Sequence, residues 1–257
     1  MTADSNVRQC LRLLAAGSLR RVFGVLIPLL EEQSRITVDA TFGPAGLLRQ
    51  KIEAGEAFDL FASASAAHPS RLHEAGLCET PVALARNGFC AIARRDLRLD
   101  PATLIDAMLD PAIAVATSTP GADPSGDYAQ TVFEKIEAER PGQGLKLKRK
   151  ARHLLGGDLT SNVPAGLAPA EWLVATGQAD IVLGYRSGAT VLTDDGPLVA
   201  IDLPESCAVT ADYTFAIRTA AGEPAHRAAA FLVSDAARAI FLRHGFQLPP
   251  DGRDNGR

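Results

Sequence analysis

The hydrophobic pattern changes period early in the chain. Val7–Ala15 is mostly apolar and predicts a buried strand. Leu19, Val22, Phe23, Leu26, Ile27 and Leu30 then recur at helical spacing, which predicts a helix with one buried face. Pro28 lies inside that pattern and predicts a kink or an early end. Between strand and helix runs Leu11–Leu19, L-R-L-L-A-A-G-S-L. Ser18 falls where an N-cap falls, so its hydroxyl and the first-turn N–H groups are expected to point out of the strand's end. Such an end attracts anions.

The same alternation continues. Ile36–Phe42 reads as a second strand, Gly43–Gly46 as a turn, and Leu47–Ala54 as a short helix closed by Gly55. Phe58–Ala62 reads as a third strand, followed by Ser63-Ala64-Ser65 and a helix over Ala67–Ala75 stopped by Gly76. Strand and helix alternating three times predict a parallel sheet with crossover helices. Three strand ends carry small or hydroxyl residues: Gly17-Ser18, Gly43–Gly46 and Ser63–Ser65. Tight turns alone ask for such residues. In open parallel sheets, however, ligands bind beyond the carboxyl ends of the strands, and the coincidence of three on that edge points to a site.

Val82–Ala93 is a long extended run, broken by Arg86-Asn87-Gly88, and is expected to carry the chain between two lobes. A second alternating set follows. Leu104–Met108 reads as a helix, Ala112–Ala116 as a strand, Thr117–Asp127 as a loop and Tyr128–Ala138 as a helix. Leu145–Lys150 reads as a strand, Asp158–Ala168 as a loop, and Pro169–Thr176 as a helix ended by Gly177. Asp180–Gly184 reads as a strand leading into Tyr185, with further strands at Leu198–Leu203 and Tyr213–Ile217. Ala225–His244 closes the chain as one long helical region.

Composition narrows the function classes. At 257 residues the chain can form one large domain or two ordinary lobes. A net charge of −4 argues against nucleic acid as a partner. The basic cluster Lys146–Arg152 reads as a solvated edge or loop. Cys10, Cys78, Cys90 and Cys207 lack metal-ligand spacing. Cys10 and Cys90 lie in apolar runs and read as buried thiols, and no disulfide pairing can be assigned. No apolar run reaches membrane-spanning length. Met1–Gln9 lacks the charged and apolar regions of a signal peptide, so the protein is cytoplasmic or its secretion signal is not part of this sequence. The tail from Pro249 is polar and expected to fray. His68, His73, His153, His226 and His244 show no zinc-protease spacing, and no nucleophile elbow or nucleotide phosphate loop occurs. No catalytic residue, resident metal or cofactor is therefore expected.

Several stretches, in this order, resemble the molybdate/tungstate-binding proteins of ABC importers. They are Ala15–Leu19, Phe42–Gly55, Phe58–Ser65, Asp123–Ala129 (D-P-S-G-D-Y-A), Gly177–Ala189 and Arg243–Phe246. The resemblance implies an α/β, two-lobed type II periplasmic-binding-protein fold, each lobe a mostly parallel sheet flanked by helices. It places lobe one at 1–85 plus 203–257 and lobe two at 86–202, with the ligand in a cleft between them. It implies capture of molybdate or tungstate by hydroxyls and N–H groups, and delivery by a monomer to the importer's membrane subunits. Residue by residue, Ser18 matches the anion-binding serine after the first strand, and Tyr185 the tyrosine that donates from the other lobe. Ser125 matches a backbone-donating loop residue. A fourth donor falls around Val163–Leu167, with Val163 taken as its position. Ala45 matches a position that is usually serine and offers only its N–H. Asp123 reads as a turn or cap carboxylate, since a carboxylate repels a dianion. Gly184 stands where the tungstate branch has a glutamate, so binding through two carboxylates is not implied. The resemblance also implies a periplasmic or membrane-anchored extracytoplasmic location. A cytoplasmic sensor on the same fold, a binder of another anionic solute, and an enzyme on a related two-lobed scaffold stand as alternatives.

Overall fold

The computed structural model describes residues 9–157, 163–164 and 167–250. In chain order the elements are β1 (Gln9–Ala16), α1 (Arg20–Ser34), β2 (Ile36–Gly43), α2 (Ala45–Glu53), β3 (Leu60–Ser63) and α3 (Ala67–Glu74). Then come β4 (Val82–Arg94), α4 (Leu104–Leu109), β5 (Val115–Ser118), α5 (Pro124–Glu139), α6 (Gln143–Lys150) and β6 (Arg152–Leu155). The chain ends with α7 (Pro169–Ala175), β7 (Ile181–Tyr185), β8 (Leu198–Asp202), β9 (Thr210–Ile217), α8 (Glu223–Leu232) and α9 (Asp235–Arg243). The fold is mixed α/β.

The described chain divides into two compact units. The first holds the residues up to Ala85, Asp212–His244 and those from Leu248; the second holds Arg86–Ala211 and Gly245–Gln247. The chain thus passes from the first unit to the second inside β4. It returns inside β9, at Ala211/Asp212; the resemblance implies a return at 202/203. Bonds within the second unit hold the segment before Asp212. Phe89 N–H donates to Val209 O, Lys135 Nζ to Ala208 O, and Ser206 Oγ to a Glu139 carboxylate oxygen.

In the first unit, β1 pairs in parallel with β2 on one side and β3 on the other, and β3 pairs antiparallel with β9. Leu11 and Leu13 of β1, Leu60 of β3, Phe23 and Leu26 of α1, and Leu232 of α8 surround one apolar space. Burying these side chains fixes α1 and α8 on the same face of the sheet. α2 leaves β2 and enters β3 on the other side of β1, so the right-handed crossover puts it on the opposite face. Pro28 does not end α1, which continues to Ser34. Its ring removes the bond to Gly24 O, but both residues are exposed, so that carbonyl is open to solvent.

The second unit has the strand order β8-β4-β7-β5-β6. β5 runs parallel to β6 and β7, whereas β4 is antiparallel to β7 and β8. Leu145–Lys150, expected as a strand, is helix α6, and the strand lies just beyond it as β6. Glu137 of α5 accepts from Gly142 N–H and Leu145 N–H and fixes the start of α6, while Leu147 is buried. The basic residues at its end complement the helix dipole.

Two more expectations change. The closing helical region is two helices, because Ser234 caps α9 by accepting from Ala237 N–H at 3.3 Å. Cys10 is exposed rather than buried, since it shares the uncovered side of β1 with Arg12. All four cysteines are free thiols.

Candidate functional site

The first unit brings two of the expected residues to one edge. Ala16 pairs with Gly43, so β1 and β2 end side by side at their carboxyl ends. Ser18 follows the first strand and Ala45 the second. Ser18 is not an N-cap: it sits inside a 3-10 turn, Gly17–Leu19, whose cap position is Ala16, and Leu19 precedes α1. Its hydroxyl instead lies 2.9 Å from the hydroxyl of Tyr213, a fully buried side chain of β9. The phenol is the more acidic of the two hydroxyls and the better donor. With Tyr213 donating, the Ser18 proton is left for an outside acceptor.

Ala45 is the first residue of α2 and is buried, with Pro44 at the cap. The first-turn N–H groups of α2 have no acceptors within the helix, so this end offers backbone donors and no hydroxyl. Arg20 lies at the same edge. Its guanidinium stands 4.9 Å from the centre of the Phe42 ring and donates to Phe42 O at 3.3 Å.

The second unit has its own edge, at the carboxyl ends of β5 and β7. Ser118 ends β5 and Tyr185 ends β7. Tyr185 is the last residue of its strand, not the residue after it. Its ring packs edge-on against Phe89, with centroids 5.7 Å apart, and against Tyr128 of α5 at 6.3 Å. This aromatic group holds the first turn of α5 beside the end of β7.

Ser125 does not lie in a loop. It is buried in the first turn of α5, which begins with Pro124, and Asp123 is the cap. Ser125 N–H donates to Asp123 Oδ1 at 3.1 Å. The backbone donor expected for an anion is thus engaged by a carboxylate of the chain itself.

Burial pushes the Asp123 carboxyl above the usual carboxylate range, and the Asp127 charge adds to this; bonds from Ser125 N–H and the Ser118 side chain act the other way. Gly156, at φ +70°, backs onto this carboxyl: a side chain there would start 2.5 Å from Asp123 Cβ and Oδ2. Only glycine adopts that φ freely and leaves room for the acid.

Val163 is half-buried. No bond among the described residues ties it to the β5–β7 edge, and Ala165 and Gly166 of the fourth-donor region lie outside the described residues. So does much of the expected loop at 158–168. Arg186 forms an ion pair with Asp202 at 2.9 Å. Among the described residues, no group of three or more His, Cys, Asp or Glu side chains could hold a metal ion. No described helix is long and apolar enough to cross a membrane.

Sequence reasoning missed Tyr213. Its only signal is a polar aromatic within β9, and its partner lies far away in the chain.

The comparisons with known proteins agree with this architecture. The profile of the bacterial extracellular solute-binding proteins matches residues 11–247. An uncharacterized protein of Pasteurella multocida is 38% identical over 211 residues, covering 82% of this chain and 88% of that protein. Among solved structures, the periplasmic molybdate-binding protein of Azotobacter vinelandii superposes with a TM-score of 0.75 at 16% identity, over 93% of this chain and 100% of that one. The sulfate-binding protein of Mycobacterium tuberculosis also gives 0.75, at 17% identity, over 95% of this chain and 88% of that one.

Proposed function

Because the chain belongs to the bacterial extracellular solute-binding proteins, we propose that it captures a small oxyanion outside the cytoplasm and delivers it to the membrane subunits of an ABC importer. Molybdate and tungstate are the first candidates, and the protein acts as a monomer by binding, not by catalysis. The observation that carries the reading is the Ser18 hydroxyl at the carboxyl edge of β1, backed by the buried Tyr213 hydroxyl. A dianion leaving water must exchange its hydration for several fixed donors. Ser18, the N–H groups at Ala45 and the Tyr185 hydroxyl are the donors of this proposal, and Ser125 N–H joins them only by exchanging its bond to Asp123 Oδ1. Val163 is the proposed position of a further backbone donor. Similarity of fold to a molybdate-binding and a sulfate-binding protein supports the size and class of ligand.

Calorimetric titration with molybdate, tungstate, sulfate and phosphate tests the reading. At least one of them is expected to bind with a micromolar or lower dissociation constant, and affinities no better than millimolar for all four would refute it. Ser18→Ala removes a charge-assisted hydrogen bond and is expected to cost about 1.5–3 kcal/mol of binding. Unchanged affinity would remove Ser18 from the site.

Tyr213→Phe tests how Ser18 is oriented. Without the phenolic donor the Ser18 proton is no longer directed outward, and binding is expected to weaken by about 0.5–1.5 kcal/mol. In a Ser18→Ala background the same change is expected to cost nothing further, because the two hydroxyls act as one unit. Additive losses would mean that Tyr213 acts on binding by another route.

A further inference from the structure

The first unit holds one more hydroxyl at its ligand edge. β9 runs antiparallel to β3 with Ser63 opposite Thr214 and Ala62 opposite Phe215. Ser63 is the last residue of β3, so Thr214 stands level with the carboxyl ends of the parallel strands. Side chains alternate along a strand, which turns Thr214 to the face away from Tyr213. That is also the face away from α1 and α8: Leu60 lines the apolar space beneath those helices, and Ser63 is out of phase with it. Thr214 therefore shares a face and an edge with the start of α2 at Ala45.

Thr214 is only 8% exposed, and its Oγ1 is buried without a hydrogen-bond partner among the described residues. Its cross-strand neighbour cannot serve it. The Ser63 hydroxyl donates to Ser65 O at 2.8 Å and accepts from Ser65 N–H at 3.1 Å, closing its own turn. A buried hydroxyl with no partner forfeits its hydration for nothing, and valine would fill nearly the same volume without that cost.

The geometry points to Thr214 Oγ1 as a ligand-binding donor that gives an oxyanion, from the first unit, the hydroxyl that Ala45 lacks. This assignment rests on the oxyanion reading above. The ligand oxygen supplies the acceptor that the protein does not, and the cost of the orphan hydroxyl in the free protein is recovered on binding. The residue adds a neutral donor, so it suits an oxygen without a proton; a ligand O–H placed there would need Thr214 to turn and accept.

The test uses molybdate and sulfate as probes on the full chain, with Thr214→Val and Thr214→Ser. Thr214→Val is expected to keep or raise the melting temperature of the ligand-free protein. It should weaken the probe that wild type binds by at least about fivefold, the scale of one lost hydrogen bond. Thr214→Ser keeps the donor and is expected to retain affinity within about twofold. Wild-type affinity in Thr214→Val, alongside weakened binding in Ser18→Ala, would overturn the Thr214 assignment and leave the oxyanion reading standing. A lower ligand-free melting temperature with unchanged affinity would show a structural partner for the hydroxyl and overturn it as well. If wild type binds neither these probes nor tungstate and phosphate, the oxyanion reading fails and the assignment with it.

Discussion

Gly126→Ala is expected to destabilise the protein by about 3 kcal/mol, the upper part of the range for forcing an atom into packed surroundings. The added Cβ would start 2.5 Å from Thr119 C, 2.6 Å from Pro120 N and 2.7 Å from Ser118 O. All three are backbone atoms, so no rotamer change relieves the clash; α5 must move away from the end of β5 or the Thr119–Pro120 turn must give way. Gly126 is buried in the first turn of α5, so any such movement carries Asp123 and Ser125 with it. Thermal unfolding should show a midpoint lower by roughly 6–12 °C for a loss of that size. Oxyanion binding should weaken in the same variant. Gly188→Ala is the control: a Cβ at Gly188 meets nothing within 4 Å, and its midpoint is expected within about 1–2 °C of wild type. A wild-type midpoint for Gly126→Ala would mean that the helix recedes freely and that its close approach to β5 is not needed.

What the sequence made legible follows the range over which each feature is determined. The β1–α1–β2 pattern is local: alternating and helical apolar positions each bury one face, and the structure follows the two strands to within a residue or two, while α1 runs past Pro28 to Ser34. Helix α6 is not local. Leu145 and Leu147, spaced by two, mimic a strand, whereas the helix is started by Glu137 of the preceding helix reaching Gly142 and Leu145. The start of α5 and the break at Ser234 had local signals. Asp123 followed by proline, and serine followed by an acidic residue, are both cap patterns. At the candidate site, a hydroxyl at the end of the first strand could be read from the order of residues. The partner of the Ser18 hydroxyl could not, because β9 reaches β1 through tertiary pairing with β3. Thr214 is hidden for the same reason: a threonine in a strand is unremarked until its neighbours prove unable to satisfy it.

Asp123→Asn is expected to tighten binding of a dianion by more than tenfold at pH values above the Asp123 titration and to abolish most of the pH dependence of binding. Two unit charges about 4 Å apart interact by about 4 kcal/mol at the effective dielectric of a protein surface, and a dianion doubles this. If the oxyanion sits at Ser125 as proposed, a charged Asp123 beside it is strongly unfavourable, and asparagine removes the charge while remaining a good cap for α5. The sign follows from the direction of the shift. Burial raises the pKa of Asp123 above its unfolded value, so the folded protein holds this proton more tightly than the unfolded chain. The associated stability is fully present below the unfolded pKa and is lost as pH rises through the folded one. The groups acting on the carboxyl are Asp127, which opposes ionisation, and Ser118 and Ser125, which favour it; no cation is among them. Wild-type affinity for molybdate is expected to fall as pH rises through that titration, with a proton taken up on binding. Calorimetry in buffers of different ionisation enthalpy reads that proton directly. In Asp123→Asn the uptake should vanish, and the variant's stability advantage over wild type should close in acid, where Asp123 is neutral too. Weaker binding by Asp123→Asn above the Asp123 titration would reverse the argument, because the carboxylate would then be accepting a hydrogen bond from the ligand. The bound species would be an oxyanion that carries an O–H.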